Sequence, residues 1–338
     1  MRRFDYVRAD SVEHAVEALA AVAGSRALAG GTNLVDLMKY DVATPTRIVD
    51  INKLPLRAIE ETPQGGLKIG ALVTNSALAW DVRVEARYPL LSSAILAGAS
   101  PQLRNAASTG GNLLQRTRCY YFYDPTMACN KREPGSGCPA IGGVNRMHAI
   151  LGASDSCIAT HPSDMCVALA ALEAVVHVVG PEGERTIPFA DFHRLPGDEP
   201  QFDNTMRHGE LITAIELPPA DFGRNHSYLK LRDRLSYAFA LVSVAAALKF
   251  DAGSISEARI ALGGVAHKPW RDVEAEAMLV GGPASASAFG AFADRLLAPA
   301  KGQGHNDFKI DLARRAIVRA LTQAAAGTPQ SQTDKRVG

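Results

Sequence analysis

The chain has 338 residues, close to half of them hydrophobic, and 36 Lys+Arg against 35 Asp+Glu leave a formal charge of +1. Near-neutrality excludes a nucleic-acid face or a polybasic membrane patch as its main business, and no apolar run approaches the roughly 20 residues of a membrane helix. The length exceeds one ordinary core, so two or three units are expected, with small molecules or other proteins as partners.

The sequence passes through Phe4 and Asp5 straight into a strand-like segment without an apolar signal region, so no export signal of its own is expected. Asp10-Ser11-Val12-Glu13 has the form of a capping box and predicts a helix to about residue 23. A short strand at 26–29 meets Gly30-Gly31-Thr32-Asn33, after which Leu34, Val35, Leu37 and Met38 take up helical spacing. Strand, glycine turn and helix in succession let backbone N–H groups approach a phosphate closely; an ordinary turn is the other reading of four such residues. Strands at 47–51 and 67–73 flank a Pro- and Gly-containing loop that marks a seam near residue 55, and helices follow at 75–80 and 89–97. Ser108-Thr109-Gly110-Gly111-Asn112 is a second glycine turn whose amides and hydroxyls suit an anion. Two such turns favour a bulky diphosphate cofactor.

All five cysteines, Cys119, Cys129, Cys138, Cys157 and Cys166, fall within residues 97–173, spaced C-x9-C-x8-C-x18-C-x8-C. An odd, clustered set in a large chain suits reduced thiols on a metal or cluster better than disulfides. The spacing nevertheless lacks the tight pairs of zinc ribbons and ferredoxins. Cys166 lies on an apolar helical run and reads as a packing thiol. The other four sit among Gly, Pro, Asn, Arg and Ser, in a loop that would not bury them as plain hydrophobes and whose length calls for something to organise it.

Pro162-Ser163-Asp164 opens an apolar helix to about 174, capped by Ser163 or Asp164. Strands at 175–179 and 214–217 follow, and Pro218 and Pro219 close that unit. The remainder reads as a strand at 227–232, a hairpin of 240–250 and 257–265 around Asp251-Ala252-Gly253-Ser254, and helices at 272–280, 285–297 and 307–325. The polar end, 327–338, is expected to be disordered. The sequence holds no Ser/His/Asp set, HExxH or P-loop, which points to chemistry carried by a bound cofactor.

Several motifs then stand together in order: Leu28-Ala29-Gly30-Gly31-Thr32-Asn33-Leu34, Gln102-Leu103-Arg104-Asn105, Ser108-Thr109-Gly110-Gly111-Asn112-Leu113, His161-Pro162-Ser163-Asp164, Gly209-Glu210-Leu211-Ile212 and Ala261-Leu262-Gly263-Gly264-Val265-Ala266. Over nearly its whole length the chain resembles FAD-binding subunits of the xanthine dehydrogenase, or molybdenum hydroxylase, family. The loop from Arg116 through Tyr120-Tyr121-Phe122-Tyr123 and Gly135-Ser136-Gly137-Cys138 to Cys157 is similar to the FAD subunit of bacterial periplasmic-type aldehyde oxidoreductases, which carries an extra [4Fe–4S] cluster.

The resemblance implies an α+β fold: a two-subdomain FAD-binding domain of the PCMH, or vanillyl-alcohol-oxidase-like, type over 1–220, with subdomains of about 1–55 and 56–220 and an iron–sulfur loop at 113–160. A small antiparallel-sheet-plus-helices domain like that of CO dehydrogenase flavoproteins follows over 225–326. By position, Arg26, Ala27, Leu28, Ala29, Gly30, Gly31, Thr32, Asn33 and Leu34, with Ser108, Thr109, Gly110, Gly111 and Asn112, would hold the FAD pyrophosphate and its surroundings. Asp164 would hydrogen-bond the cofactor's polar chain, and Ile212 and Lys230 match later FAD contacts. The other readings are a helix cap for Asp164, a core aliphatic for Ile212 and a solvated strand lysine for Lys230. Cys119, Cys129, Cys138 and Cys157 are the implied cluster ligands.

The function implied is that of the electron-exit subunit of a heterotrimer. A molybdenum-cofactor large subunit oxidises an aldehyde to the acid with water, a small [2Fe–2S] subunit passes electrons on, and FAD delivers them to an external acceptor. No catalytic residue is expected in this chain, nor nucleic-acid binding or membrane insertion. The complex is expected in the periplasm, exported on a partner's signal, with the cytoplasm as the alternative. NAD-using members often have an acidic residue just before the strand that corresponds to Phe239-Ala240; Ser236-Tyr237-Ala238 stands here, which argues against NAD as acceptor. Tyr237 is placed either against the flavin ring or as a buried structural tyrosine. The rival readings are the FAD subunit of another hydroxylase of the family, a self-contained flavin oxidase of related fold, and a non-catalytic assembly module whose cysteines bind zinc.

Overall fold

The computed structural model describes residues 1–333, and three sheets follow one another along them. The first comes from β1 (Asp5–Arg8), α1 (Val12–Ala20), β2 (Arg26–Leu28), α2 (Leu34–Lys39) and β3 (Arg47–Asp50), paired in parallel in the order β1-β3-β2. Helix α1 starts one residue later than the capping box predicts. Ser11 is the N-cap, accepting from the His14 amide at 3.1 Å, while Asp10 pairs with the His14 ring at 2.8 Å. The apolar side of α1, with Ala15, Val16 and Leu19, packs with Val49, Ile51, Leu72 and Leu211 in a small core.

The second unit runs β4 (Ile59–Glu61), β5 (Leu67–Gly70), α3 (Asn75–Ala79), α4 (Val82–Arg87), α5 (Pro89–Ala97), α6 (Pro101–Ala106), α7 (Thr109–Leu113), α8 (Tyr120–Tyr123), α9 (Asp164–Ala171), β6 (Val175–Gly180), β7 (Gly183–Pro188), α10 (Phe189–Phe192) and β8 (Leu211–Leu217). Its sheet is antiparallel in the order β4-β5-β8-β6-β7, so the last strand made is inserted between β5 and β6. Strand β5 stops three residues short of the predicted end, where the chain turns so that the Gly70 and Leu72 amides donate to the Ala58 and Leu56 carbonyls. Helix α9 is buried nearly all round, as an evenly apolar helix must be. Ser163 caps it by accepting from the Cys166 amide at 3.0 Å, worth about 1 kcal/mol. Between α8 and α9 the chain has no regular element beyond one isolated bridge, Ser154 to Cys157.

The third unit is β9 (His226–Leu231), β10 (Val242–Asp251), β11 (Ser254–Gly263), α11 (Val273–Ala277), α12 (Ala286–Leu297) and α13 (Phe308–Ala326), with an antiparallel sheet ordered β11-β10-β9. Ala252 (φ +47°) and Gly253 (φ +85°) make the left-handed two-residue turn of the expected hairpin. Side chains alternate between the two faces of this sheet. Tyr228, Ala245, Ala247 and Ala261 join the core of the second unit, and Leu229, Val244, Leu248 and Ile260 pack in the core built with α12 and α13. Both faces are therefore covered. The polar end is described as far as Thr333, where Gln332 donates to the Tyr228 carbonyl at 3.1 Å; residues 334–338, the rest of the predicted disordered tail, lie outside the described residues. Among the described residues no helix is long and apolar enough to cross a membrane.

Candidate functional site: a cofactor cleft beside a four-cysteine cavity

The turn between β2 and α2 is pinned from below by Asn52, whose Nδ2 donates to the Ala29 carbonyl at 3.0 Å. Above it, the amides of Gly30, Gly31, Thr32 and Asn33 find no acceptor among the described residues. Gly31 is left-handed (φ +72°). A Cβ on Gly30 would stand 1.8 Å from the Ala106 carbonyl oxygen, so this turn closes directly against the end of α6. Asn33 accepts from the Arg116 amide at 2.9 Å and keeps a buried Nδ2 without a partner. Four consecutive uncommitted amides on an open turn are the donor set a diphosphate requires. This turn fits the FAD pyrophosphate.

The second glycine segment differs from its sequence reading. It is a helix, α7, and its amides are spent: Thr109 donates to Val73 O and Gly110 to Ala71 O (both 2.8 Å), Gly111 to Ser108 Oγ and Asn112 to Ser108 O. What it offers a ligand is space rather than these donors. A Cβ on exposed Gly111 would meet only Ser108 Oγ, at 2.8 Å. Asn112 ties the segment to α9, accepting from Ser163 Oγ at 2.5 Å and donating to Asn75 Oδ1 at 2.8 Å.

Asp164 and Lys230 are brought together. The carboxylate accepts from Lys230 Nζ and from the Tyr228 hydroxyl, each at 2.7 Å, and Lys230 also donates to Ala97 O. Both side chains are buried, which removes the reading of Lys230 as a solvated strand lysine. Burial, with Asp164 alongside, pushes the Tyr228 hydroxyl well above its usual range. Ser163 and Asp164 line a cleft, with Arg118, Phe239, Ala240 and Gly264 among its other walls. The Arg118 guanidinium lies 5.1 Å from the centre of the Phe239 ring. Ile212 stands apart from this cleft, with its side chain in the core of the second unit. Tyr237 is 58% exposed and left-handed (φ +52°), so it is not a buried structural tyrosine.

The cysteine loop folds around a second cavity, lined by Cys119, Cys129, Cys138 and Cys157 together. Polar side chains shape it. Asn130 Oδ1 accepts from the amides of Gly135 (3.1 Å) and Gly137 (2.7 Å), and its Nδ2 donates to Ser156 O at 2.9 Å. Lys131 is buried and donates to Pro200 O and to Asp203, which also accepts from Arg116 Nε at 2.6 Å. Burial alone would raise the Asp203 carboxyl, but the two cations outweigh it and hold the acid well below its usual range.

Burial pushes the Cys119 thiol up to about 11 against the opposing pull of the Phe122 and Tyr121 amides. The neighbouring Cys138 and Cys157 titrate together, so that loss of the first proton, from Cys138, is eased and loss of the second is opposed. Nearby backbone amides pull three of the four thiols down: Tyr121 and Phe122 act on Cys119, Ala140, Ile141 and Ile158 on Cys138, and Ala159 on Cys157. Such donors favour thiolates. Four cysteine sulfurs lining one cavity are a donor set that a metal ion or an iron–sulfur cluster can use.

Cys166 lies elsewhere, fully buried on α9, where burial pushes its thiol to about 12. Its neighbours are His161 and His193, the one trio of donors among the described residues close enough together for a single metal ion. Sequence reasoning missed these histidines, the Arg116–Lys131–Asp203 group, and His148, whose Nε2 lies 3.1 Å from Cys119 Sγ. None has a spacing signal, because each partner comes from a distant part of the chain.

The comparisons with known proteins cover the same ground. The family described as "FAD binding domain in molybdopterin dehydrogenase" matches residues 2–220, and "CO dehydrogenase flavoprotein C-terminal domain" matches residues 226–324. The chain is 51% identical over 327 residues to the aldehyde oxidoreductase FAD-binding subunit PaoB of Escherichia coli (strain K12), covering 96% of this chain and 99% of that one. It is 29% identical to the carbon monoxide dehydrogenase medium chain of Afipia carboxidovorans, over 95% of this chain and 98% of that one. A solved carbon monoxide dehydrogenase from Hydrogenophaga pseudoflava superposes with a TM-score of 0.76 at 28% identity, covering 96% and 98% of the two chains. With both domains matched in order, the chain belongs to the family of FAD-binding subunits of molybdenum hydroxylases.

Proposed function

We propose that this chain is the electron-exit subunit of a heterotrimeric molybdenum aldehyde oxidoreductase, and that it carries one [4Fe–4S] cluster beside its FAD. The observation that carries the cluster is the convergence of Cys119, Cys129, Cys138 and Cys157 on one cavity, from a stretch without regular structure. Family membership and the identity to an aldehyde oxidoreductase subunit support the rest of the reading. The proposed partners are a large molybdenum-cofactor subunit that oxidises aldehyde to acid, a small [2Fe–2S] subunit and an external electron acceptor. The proposed location of the complex is the periplasm, reached on a partner's export signal, with the cytoplasm as the alternative.

Bound FAD supplies a centre that accepts and releases electrons singly or in pairs. This chain's residues bind and orient it. The free amides at Gly30 to Asn33 take the diphosphate, the open face over Gly111 lets the cofactor lie close, and Asp164, held by Lys230 and Tyr228, presents a fixed acceptor in the cleft. Arg118 and Phe239 form one wall there. No acidic side chain stands at Ala238, so the proposed acceptor is an artificial dye, a quinone or oxygen rather than NAD.

The test is to purify the chain with whatever subunits accompany it and to take its spectrum and metal content. Equimolar flavin with iron and sulfide beyond what a [2Fe–2S] subunit accounts for is expected. Flavin without that extra iron, or with zinc in its place, overturns the cluster. Aldehyde oxidation by the isolated chain overturns its role as an electron-exit subunit.

A further inference from the structure

Two residues, Cys119 and His148, line both the cofactor cleft beside Asp164 and the four-cysteine cavity. They touch, with His148 Nε2 at 3.1 Å from Cys119 Sγ. We propose that His148 is a positioning residue for the cluster: its Nε2–H donates to the Cys119 sulfur, fixes that thiolate as the edge turned toward the flavin cleft, and raises the electron affinity of the cluster. The inference rests on the cluster reading above and adds to it which edge faces the cleft and what tunes it.

The geometry favours this in three ways. A sulfur bound to iron has lone pairs and no proton, so Nε2 at that distance must carry the hydrogen, which fixes the tautomer with Nδ1 bare. Nδ1 is buried without a partner, so the ring's one hydrogen bond is the one to sulfur. The ring is also held from behind through its backbone: the His148 amide donates to Asn145 O at 2.9 Å, and its carbonyl accepts from Lys309 Nζ at 2.8 Å and Asn306 Nδ2 at 3.2 Å. Those tethers do not involve the side chain, so a substitution there leaves the backbone frame in place. A donor aimed at a ligating sulfur offsets the added negative charge of the reduced cluster, and hydrogen bonds to the sulfurs are among the factors that set iron–sulfur potentials.

The experiment uses the purified complex with its partner subunits, redox titration followed by electron paramagnetic resonance, and iron and flavin analysis. His148→Phe keeps the ring volume and removes the donor. It is expected to retain iron and flavin while the midpoint potential of the additional cluster falls by a tenfold change in its reduction equilibrium, about 59 mV for one electron. His148→Gln restores an N–H donor and should return the potential toward that of the wild type. A cluster present in both proteins with an unchanged midpoint in His148→Phe overturns the inference and leaves the cluster reading standing. A wild-type complex without the extra cluster overturns that reading instead. If His148→Phe loses iron, His148→Gln decides: iron retained at the wild-type potential supports the inference, and iron lost or the potential displaced overturns it.

Discussion

A methyl group on Gly30 would collide with the Ala106 carbonyl, whereas one on Gly111 meets only the Ser108 hydroxyl, so two glycines of one proposed site predict different outcomes. Gly30→Val is expected to lose fold stability and flavin together. Gly111→Val should cost the fold about 1 kcal/mol, the worth of the Ser108 cap it disturbs, and still release FAD. Flavin absorbance per mole and thermal unfolding separate the two effects; stoichiometric flavin in Gly111→Val counts against the cofactor lying over that face. Gly31→Val adds strain of about 1–2 kcal/mol from its left-handed backbone and is also expected to lose flavin. Asp203 makes a different kind of prediction. Its folded pKa is depressed, so its contribution is complete above the unfolded value of about 3.9 and is lost as pH falls toward the folded one. Asp203→Asn leaves Lys131 buried without its counter-ion and should cost about 3–5 kcal/mol at pH 7. Denaturant unfolding should show the gap from wild type narrowing below about pH 4; a gap that stays constant with pH refutes the assignment.

At the scale of elements, the cysteine loop has no helix or strand to hold it between α8 and α9, so side chains and whatever binds the thiols must offset its ordering entropy. Changing Cys119, Cys129, Cys138 or Cys157 singly to Ser is expected to remove the cluster iron and impair assembly, while Cys166→Ser keeps it. Iron and sulfide analysis of the five variants checks the set, and loss of iron in Cys166→Ser with retention in any of the four sinks it. The regular elements were largely legible in the sequence: α9 from its even apolarity after Ser163, the β10–β11 hairpin from Ala252-Gly253, and β2–turn–α2 from its change of periodicity. The failures have physical causes. Helix α7 hides in Ser-Thr-Gly-Gly-Asn because its capping partners, Val73 and Ala71, come from the end of another segment. The pairing of Asp164 with Lys230, 66 positions apart, has no local signature. Nor does the meeting of His148 with Cys119 across 29 positions.

For the whole molecule, the cofactor cleft lies where the second and third units meet, with Ser163 and Asp164 contributed by one and Phe239 and Ala240 by the other. Phe239 and Ala240 belong to the exposed segment before β10, where the Arg234 side chain lies over the Tyr237 ring and donates to the Tyr237 carbonyl. With no acidic residue at Ala238, artificial dyes or quinones are expected to be reduced at least tenfold faster than NAD by the complex supplied with aldehyde, a steady-state comparison that efficient NADH formation would refute. Lys309 is the other residue that joins distant parts: fully buried at the start of α13, it donates to the carbonyls of His148 and Gly264. Its consequence is one of timing. Ribosomes deliver the N-terminal end first, so residue 309 arrives when the cysteine loop has long been outside and cannot be fastened before. The thiols thus wait in an unlatched loop, open to loading, until the last long helix shuts the door behind them. Lys309→Met should leave that door ajar, seen as faster amide exchange at residues 148–151 than in the wild type.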